Sequence, residues 1–195
     1  NLGTISLRTL LQKSSNIGSA KIALSLPPSA MSDGQKAFGF GAKTNLKLPG
    51  ESAGVVPTPE ANEIARRVTV SYGYGLQVTL AQLAQAYSVL GAGGVMHPLT
   101  IIKSTRDNAL NNSSTNNVAV PFAKPSTSQV IKNSDALAIV DMLTAVTEPG
   151  GTGTLAAIDG YRVAGKTGTA RRTNPNGGYY DDQYRTAFVG IAPAS

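Results

Sequence analysis

Two short groups of residues in this chain have side chains that could carry out chemistry. Lys166-Thr167-Gly168-Thr169 follows an apolar run, Tyr161 to Ala164. A lysine fixed on a strand is a positive point charge, and if partly desolvated it can hold neighbouring hydroxyls in a reactive protonation state. Gly168 strips a side chain from the strand, so another extended backbone could hydrogen-bond along its edge, while Thr167 and Thr169 offer hydroxyls to a carboxylate. Such a site suits a peptide with a negatively charged end. The plainer alternative is a lysine-capped strand with a glycine bulge. The second group, Ser14-Ser15-Asn16, places a hydroxyl and an amide close together. Its plainer alternative is a helix cap, worth about 1 kcal/mol.

Both groups need elements to position them. The opening residues predict a short helix capped by Thr4 or Ser6, with Leu7, Leu10 and Leu11 as a buried stripe and Lys13 closing it. A second helical segment, Ile17 to Leu26, stops at Pro27-Pro28, which puts Ser14–Asn16 at a helix junction. From Met31 to Pro59 glycine and proline predict turns with one short helix. After the glycine-punctuated Ser71-Tyr72-Gly73-Tyr74-Gly75, Thr79-x-x-Gln82 reads as a capping box. It opens a helix whose apolar stripe is Leu80, Leu83, Ala84 and Tyr87, ended by Gly91, Gly93 and Gly94.

Leu99 to Lys103 reads as a strand, and the polar run Asn111 to Asn117 as part of a flexible insertion over about 105–120. A helix is predicted over Ser134 to Thr147, with Leu137, Val140, Leu143 and Val146 facing inward. Tyr161–Ala164 and Thr186–Ala192 flank the turn-rich Asn174 to Gly178, so a hairpin follows, with Lys166–Thr169 on or at the end of its first strand. The fold class expected is α/β or α+β, an antiparallel sheet covered by helices.

Composition narrows the function. The 195 residues are the size of one domain, 41% hydrophobic and 14% charged, which is globular rather than disordered. There is no cysteine and one histidine, His97, beside a Gly-Gly turn; thiol chemistry, a His-based triad and a multi-histidine zinc site lack material. The formal charge of +6 permits an anionic partner. The longest basic runs are pairs, Arg66-Arg67 and Arg171-Arg172, with no interleaved aromatics, so nucleic acid is not expected. No metal or organic cofactor is indicated.

Taken in order, S-x-N at a helix junction and K-T-G on a strand are two-thirds of the serine acyltransferase set S-x-x-K, S-x-N, K-T-G. Ser14-Ser15-Asn16, Val70 to Leu76 and Lys166 to Arg171 closely resemble the transpeptidase domain of class B penicillin-binding proteins, and Gly190 to Ala194 is similar to that family's pattern. The resemblance implies a sheet with helices on both sides. It also implies a serine nucleophile that attacks a peptidoglycan stem peptide, expels D-alanine and passes the acyl group to an amine.

On this resemblance Ser14 is the proton-shuttling hydroxyl, Asn16 orients the acyl substrate's amide and Lys166 supplies charge beside Ser14. Thr167 and Thr169 bind the terminal carboxylate or that of a β-lactam, with Gly168 between them and the Thr169 N–H completing an oxyanion hole. Arg171 reinforces carboxylate binding, and Tyr74 and Tyr184 are similar to cleft-lining positions, or alternatively plain packing. One departure stands out: no serine here is followed three places on by lysine. Residues 1–195 are therefore expected to be the C-terminal portion of such a domain, inactive alone, with a membrane anchor outside this chain. Implied partners are stem peptides, β-lactams and division-machinery proteins, on the periplasmic side of a bacterial inner membrane. The alternatives are a non-catalytic sensor of penicillin or D-Ala-D-Ala, a D,D-carboxypeptidase, or a serine β-lactamase. No E-x-x-L-N arrangement is present to supply the water-activating base of a class A lactamase.

Overall fold

The computed structural model describes residues 2–44, 46, 48–102, 104–106, 119–121 and 126–194. The first helix, α1 (Leu7–Lys13), is capped by Ser6, whose Oγ accepts the Thr9 N–H at 3.2 Å. It ends at Ser14, and Ser15 caps α2 (Asn16–Ser25) by accepting the Gly18 N–H at 3.2 Å. The junction read in the sequence is thus two caps back to back. Leu7 does not join the expected stripe: it is exposed, while Leu11 packs on the main core.

The turn-rich stretch contains α3 (Ala30–Ala37). A further helix, α4 (Ile64–Val70), has no counterpart in the sequence reading. Its residues are largely β-branched, which lowers helix propensity, and no side chain caps its start. Tertiary contact forms it instead. It packs on α2, and Arg67 Nη2 donates to the Ala23 and Leu26 carbonyls at 3.1 and 2.9 Å, satisfying the C-terminal end of α2.

In α5 (Leu80–Gly91) the predicted capping box is complete: Gln82 N–H donates to Thr79 Oγ1 at 3.1 Å and Thr79 N–H to Gln82 Oε1 at 2.8 Å. The buried face, however, is Gln82, Gln85, Ala86 and Val89; Leu80 is 83% exposed and Ala84 is exposed too. The helix is rotated because Gln82 is also held inward, its Nε2 donating to the Ala42 and Ala53 carbonyls at 2.7 and 2.8 Å.

Residues 99–102 are not a strand, and Lys103 lies outside the described residues. Short ladders occur on either side instead: β1 (Val95–Met96) with β4 (Ser128–Gln129), and β2 (Ser104–Arg106) with β3 (Ala119–Pro121), both antiparallel. Most of the expected flexible insertion, including Asn111 to Asn117, lies outside the described residues.

The long helix α6 (Asn133–Thr144) buries Val140 and Leu143, with Val146 just beyond it, but Leu137 is 46% exposed. Together with Ala164 and Ala194 these three form the main core, covered by Leu11, Leu90, Ile139 and Ile191. The hairpin is β5 (Ala164–Thr173) and β6 (Tyr179–Ile191), in register from Ala164↔Ile191 to Arg171↔Tyr184. Its first strand lies later than the apolar run Tyr161–Ala164 predicted, since only Ala164 belongs to it. Lys166 to Arg171, and Thr173 beyond an irregularity at Arg172, pair in the ladder although mostly exposed, so no alternating apolar pattern marks them.

Candidate functional site

Helix α1 lies along α6, where Arg8 bonds Glu148 at 2.6 and 2.8 Å and the Asp141 carbonyl at 2.6 Å. Lys13 Nζ donates to the Gly150 carbonyl at 2.7 Å. Behind it, Thr147 Oγ1 donates to the Val163 carbonyl at 2.6 Å, which ties the end of α6 to the residues entering β5. The helix junction and the start of the hairpin are thereby fastened to the same element. At the junction Ser14 is left-handed, φ 50° and ψ 51°, and its N–H closes the last turn of α1 on Leu11.

This geometry brings the two polar groups together. Lys166 Nζ donates to Ser14 Oγ at 2.7 Å and to the carbonyl of Thr167 at 2.9 Å. Burial holds the ammonium below the usual lysine range, and none of the ion pairs among the described residues gives it a carboxylate. A lysine so placed can donate to a serine hydroxyl when charged and accept its proton when neutral. The pair is therefore able to pass a proton to or from a third atom in the cleft.

The cleft between the junction and β5 is about 650 Å³, lined by Ser14, Asn16, Lys166, Thr167, Gly168, Thr169 and Tyr74 among others. Asn16 opens α2 and is exposed to it. Thr167 and Thr169 share one face of β5 because strand side chains alternate, and Thr167 Oγ1 is 2.7 Å from Thr152 Oγ1. Gly168 leaves the strand open: a Cβ there would meet only the Ala187 carbonyl, at 4.0 Å.

Arg171 stands elsewhere. It lines an adjoining cleft and pairs with Asp181 at 3.2 Å. Tyr74 lines both clefts and meets Tyr179 edge to face with centroids 5.3 Å apart. Tyr184 faces Arg171 across the ladder, donates to the Asp181 carbonyl at 3.1 Å, and is not among the residues lining either cleft.

Sequence reasoning missed Thr152, Ser19, Ser71 and Tyr72 in the wall of the cleft. Tyr72 could have been found from its place beside Tyr74; Thr152 sits in a glycine run that reads only as a helix terminator. His97 is exposed, and no cluster of acidic or histidine side chains able to hold a metal occurs among the described residues.

The family model of the penicillin-binding protein transpeptidase domain matches residues 1–195. The chain belongs to the penicillin-binding protein transpeptidase family. It is 40% identical over 98% of its length to the peptidoglycan D,D-transpeptidase FtsI of Escherichia coli, and 36% identical over 98% to the probable peptidoglycan D,D-transpeptidase PenA of Neisseria gonorrhoeae. These matches span 29% and 30% of those two proteins. Among solved structures, the transpeptidase domain of Burkholderia pseudomallei penicillin-binding protein 3 superposes with TM-score 0.80 at 38% identity, covering 99% of this chain and 54% of that one. Mycobacterium tuberculosis penicillin-binding protein 3 complexed with ampicillin gives TM-score 0.84 at 33% identity, with 97% and 42% covered. The fold is that of the penicillin-binding protein transpeptidases, a mixture of helices and antiparallel strands.

Proposed function

We propose that this chain is the C-terminal share of a peptidoglycan D,D-transpeptidase domain that works through a serine acyl-enzyme, and that it supplies the half of the site that moves the proton and seats the substrate's carboxylate. The observation that carries the reading is the 2.7 Å bond between Lys166 and Ser14, residues 152 positions apart in the chain. Family membership and the two FtsI- and PenA-type relatives support it.

In the proposed reaction, a serine outside these residues gives its hydroxyl proton to the lysine of its own S-x-x-K motif, also outside these residues, and attacks the penultimate D-alanine carbonyl of one stem peptide. The C–N bond to the last D-alanine breaks, and Ser14 protonates the departing amine while Lys166 restores its proton. The Thr169 N–H donates to the oxyanion; Thr167 and Thr169 hold the carboxylate; Asn16 orients the acyl chain. An amine from a second stem then takes the acyl group and frees the serine. A β-lactam enters the same route and stops at the ester. We place the complete protein at the outer face of the bacterial inner membrane with partners in the division machinery. No helix among the described residues is long and apolar enough to cross a membrane.

The test is intact-mass measurement on the full-length protein after incubation with a labelled penicillin. One long-lived covalent adduct is expected. Rapid turnover of the drug would make it a lactamase, no adduct a binding module, and release of D-alanine without cross-linking a carboxypeptidase.

A further inference from the structure

Next to the Ser14–Lys166 cleft lies a second one, of about 720 Å³, and the two share the side chains of Asn16, Tyr72 and Tyr74. That volume is in the range of ordinary ligand pockets. Its walls are mostly apolar or aromatic, Val56, Pro57 and Tyr179 among them. The charged residues lining it are two arginines, Arg66 of α4 and Arg171 of β5, and no carboxylate is among the lining side chains.

Both guanidinium groups are lightly held. Arg66 meets Glu63 at 3.1 Å and Arg171 meets Asp181 at 3.2 Å, with Asp181 97% exposed and the Arg66 side chain 54% exposed. Exposed pairs of this kind contribute less than about 1 kcal/mol, so a ligand carboxylate that offers two oxygens to the planar fork can displace them. Arg67, the next residue, is committed to the α2 carbonyls and cannot do the same work.

We propose that Arg66 is a specificity-determining residue: the second cleft receives the part of the acyl donor remote from the scissile bond, and Arg66 reads a carboxylate on it. The inference rests on the transpeptidase reading above. With the scissile end at Ser14 and Lys166 and the acyl chain's amide at Asn16, the remainder of the chain has its continuation along the wall that Asn16 and Tyr74 share between the two clefts. An acidic stem peptide finds there apolar surface and two cations, within a chain of net charge +6.

The experiment measures acylation of the full-length protein by two penicillins that differ only at the end of the side chain, a carboxylate in one and a carboxamide in the other. Wild type should react faster with the carboxylate probe by about tenfold or more, the worth of a charge-assisted hydrogen bond. Arg66→Gln should diminish that preference, Arg171 remaining in the cleft, and Arg66→Glu should diminish it further. Because the comparison is a ratio within one protein, loss of folded material cancels. An undiminished preference in Arg66→Gln, or none in wild type, overturns the assignment. So does a preference that survives while only the partition of the acyl-enzyme between amine and water changes, since the cleft would then serve the amine-supplying peptide. Failure of both probes to acylate wild type sinks the transpeptidase reading itself, a distinguishable result.

Discussion

The base and the tip of the β5–β6 hairpin belong to one ladder but live in different surroundings. Val163, Ala164 and Gly165 are buried against the end of α6, Lys166 and Thr167 are half-buried, and every residue from Gly168 to Thr173 is exposed. Lys166 and Thr167 therefore stand on the boundary. A lysine one step deeper would be sealed from substrate, and one further out would be fully hydrated and keep the ordinary lysine range. The base supplies position, and the tip supplies an open edge.

The largest effect should come from the boundary residue itself. Lys166→Met in the full-length protein is expected to slow acylation by labelled penicillin by about 10²–10⁴-fold, the usual range for a proton-transfer group. The same variant gives a pH signature. Burial lowers the Lys166 pKa in the folded state, so between that lowered value and the ordinary lysine range the unfolded chain binds a proton that the folded chain does not. Stability of wild type should therefore rise with pH across that window, and Lys166→Met should lack the rise; urea midpoints across a pH series read the difference.

The next contrast sets two glycines of one strand against each other. A Cβ at Gly165 would meet the Phe188 ring at 2.6 and 2.8 Å and the Val189 carbonyl at 3.0 Å, so Gly165→Ala should cost about 1–3 kcal/mol in denaturant unfolding. Gly168→Ala has room and should change stability by less than about 0.5 kcal/mol. Its added methyl intrudes on the cleft, however, and should slow acylation by roughly tenfold. Equal stability losses at both positions would erase the distinction between base and edge. The smallest effect belongs to Thr152→Val, which removes the 2.7 Å partner of Thr167 at an exposed position and should cost about 0.5 kcal/mol while loosening the Thr167 hydroxyl.

How much of this could be read beforehand varied with the kind of signal. Caps and terminators were legible, because a serine or a Thr-x-x-Gln announces its role through local hydrogen bonds: Thr79 caps α5 as expected, Ser6 is the one of the two candidates, Thr4 and Ser6, that caps α1, and the expected helix junction at Ser14–Asn16 is present, with Ser15 as its cap. The meeting of Ser14 with Lys166 was expected from motif order and a family likeness. The failures share a cause. Helix α4 is held by Arg67 reaching a neighbour, and α5 is turned by Gln82 reaching two loops, so long-range polar contacts overrode propensity and hydrophobic pattern. Likewise the reach of β5 toward its tip leaves no apolar alternation to find. The second cleft drew on four separated stretches, at Asn16, residues 55–58, residues 66–75 and the β5–β6 hairpin, and had no contiguous signature at all.

At Ser14 folding and reactivity make opposing demands. A residue with a Cβ pays on the order of 1 kcal/mol to sit at φ 50°, a conformation glycine adopts freely. A glycine there would be the more comfortable terminator and would carry no oxygen to offer. Ser14→Gly should therefore fold at least as stably as the wild type while losing the oxygen that Lys166 contacts, so that local backbone ease and the Ser14–Lys166 bond are set against each other at one residue.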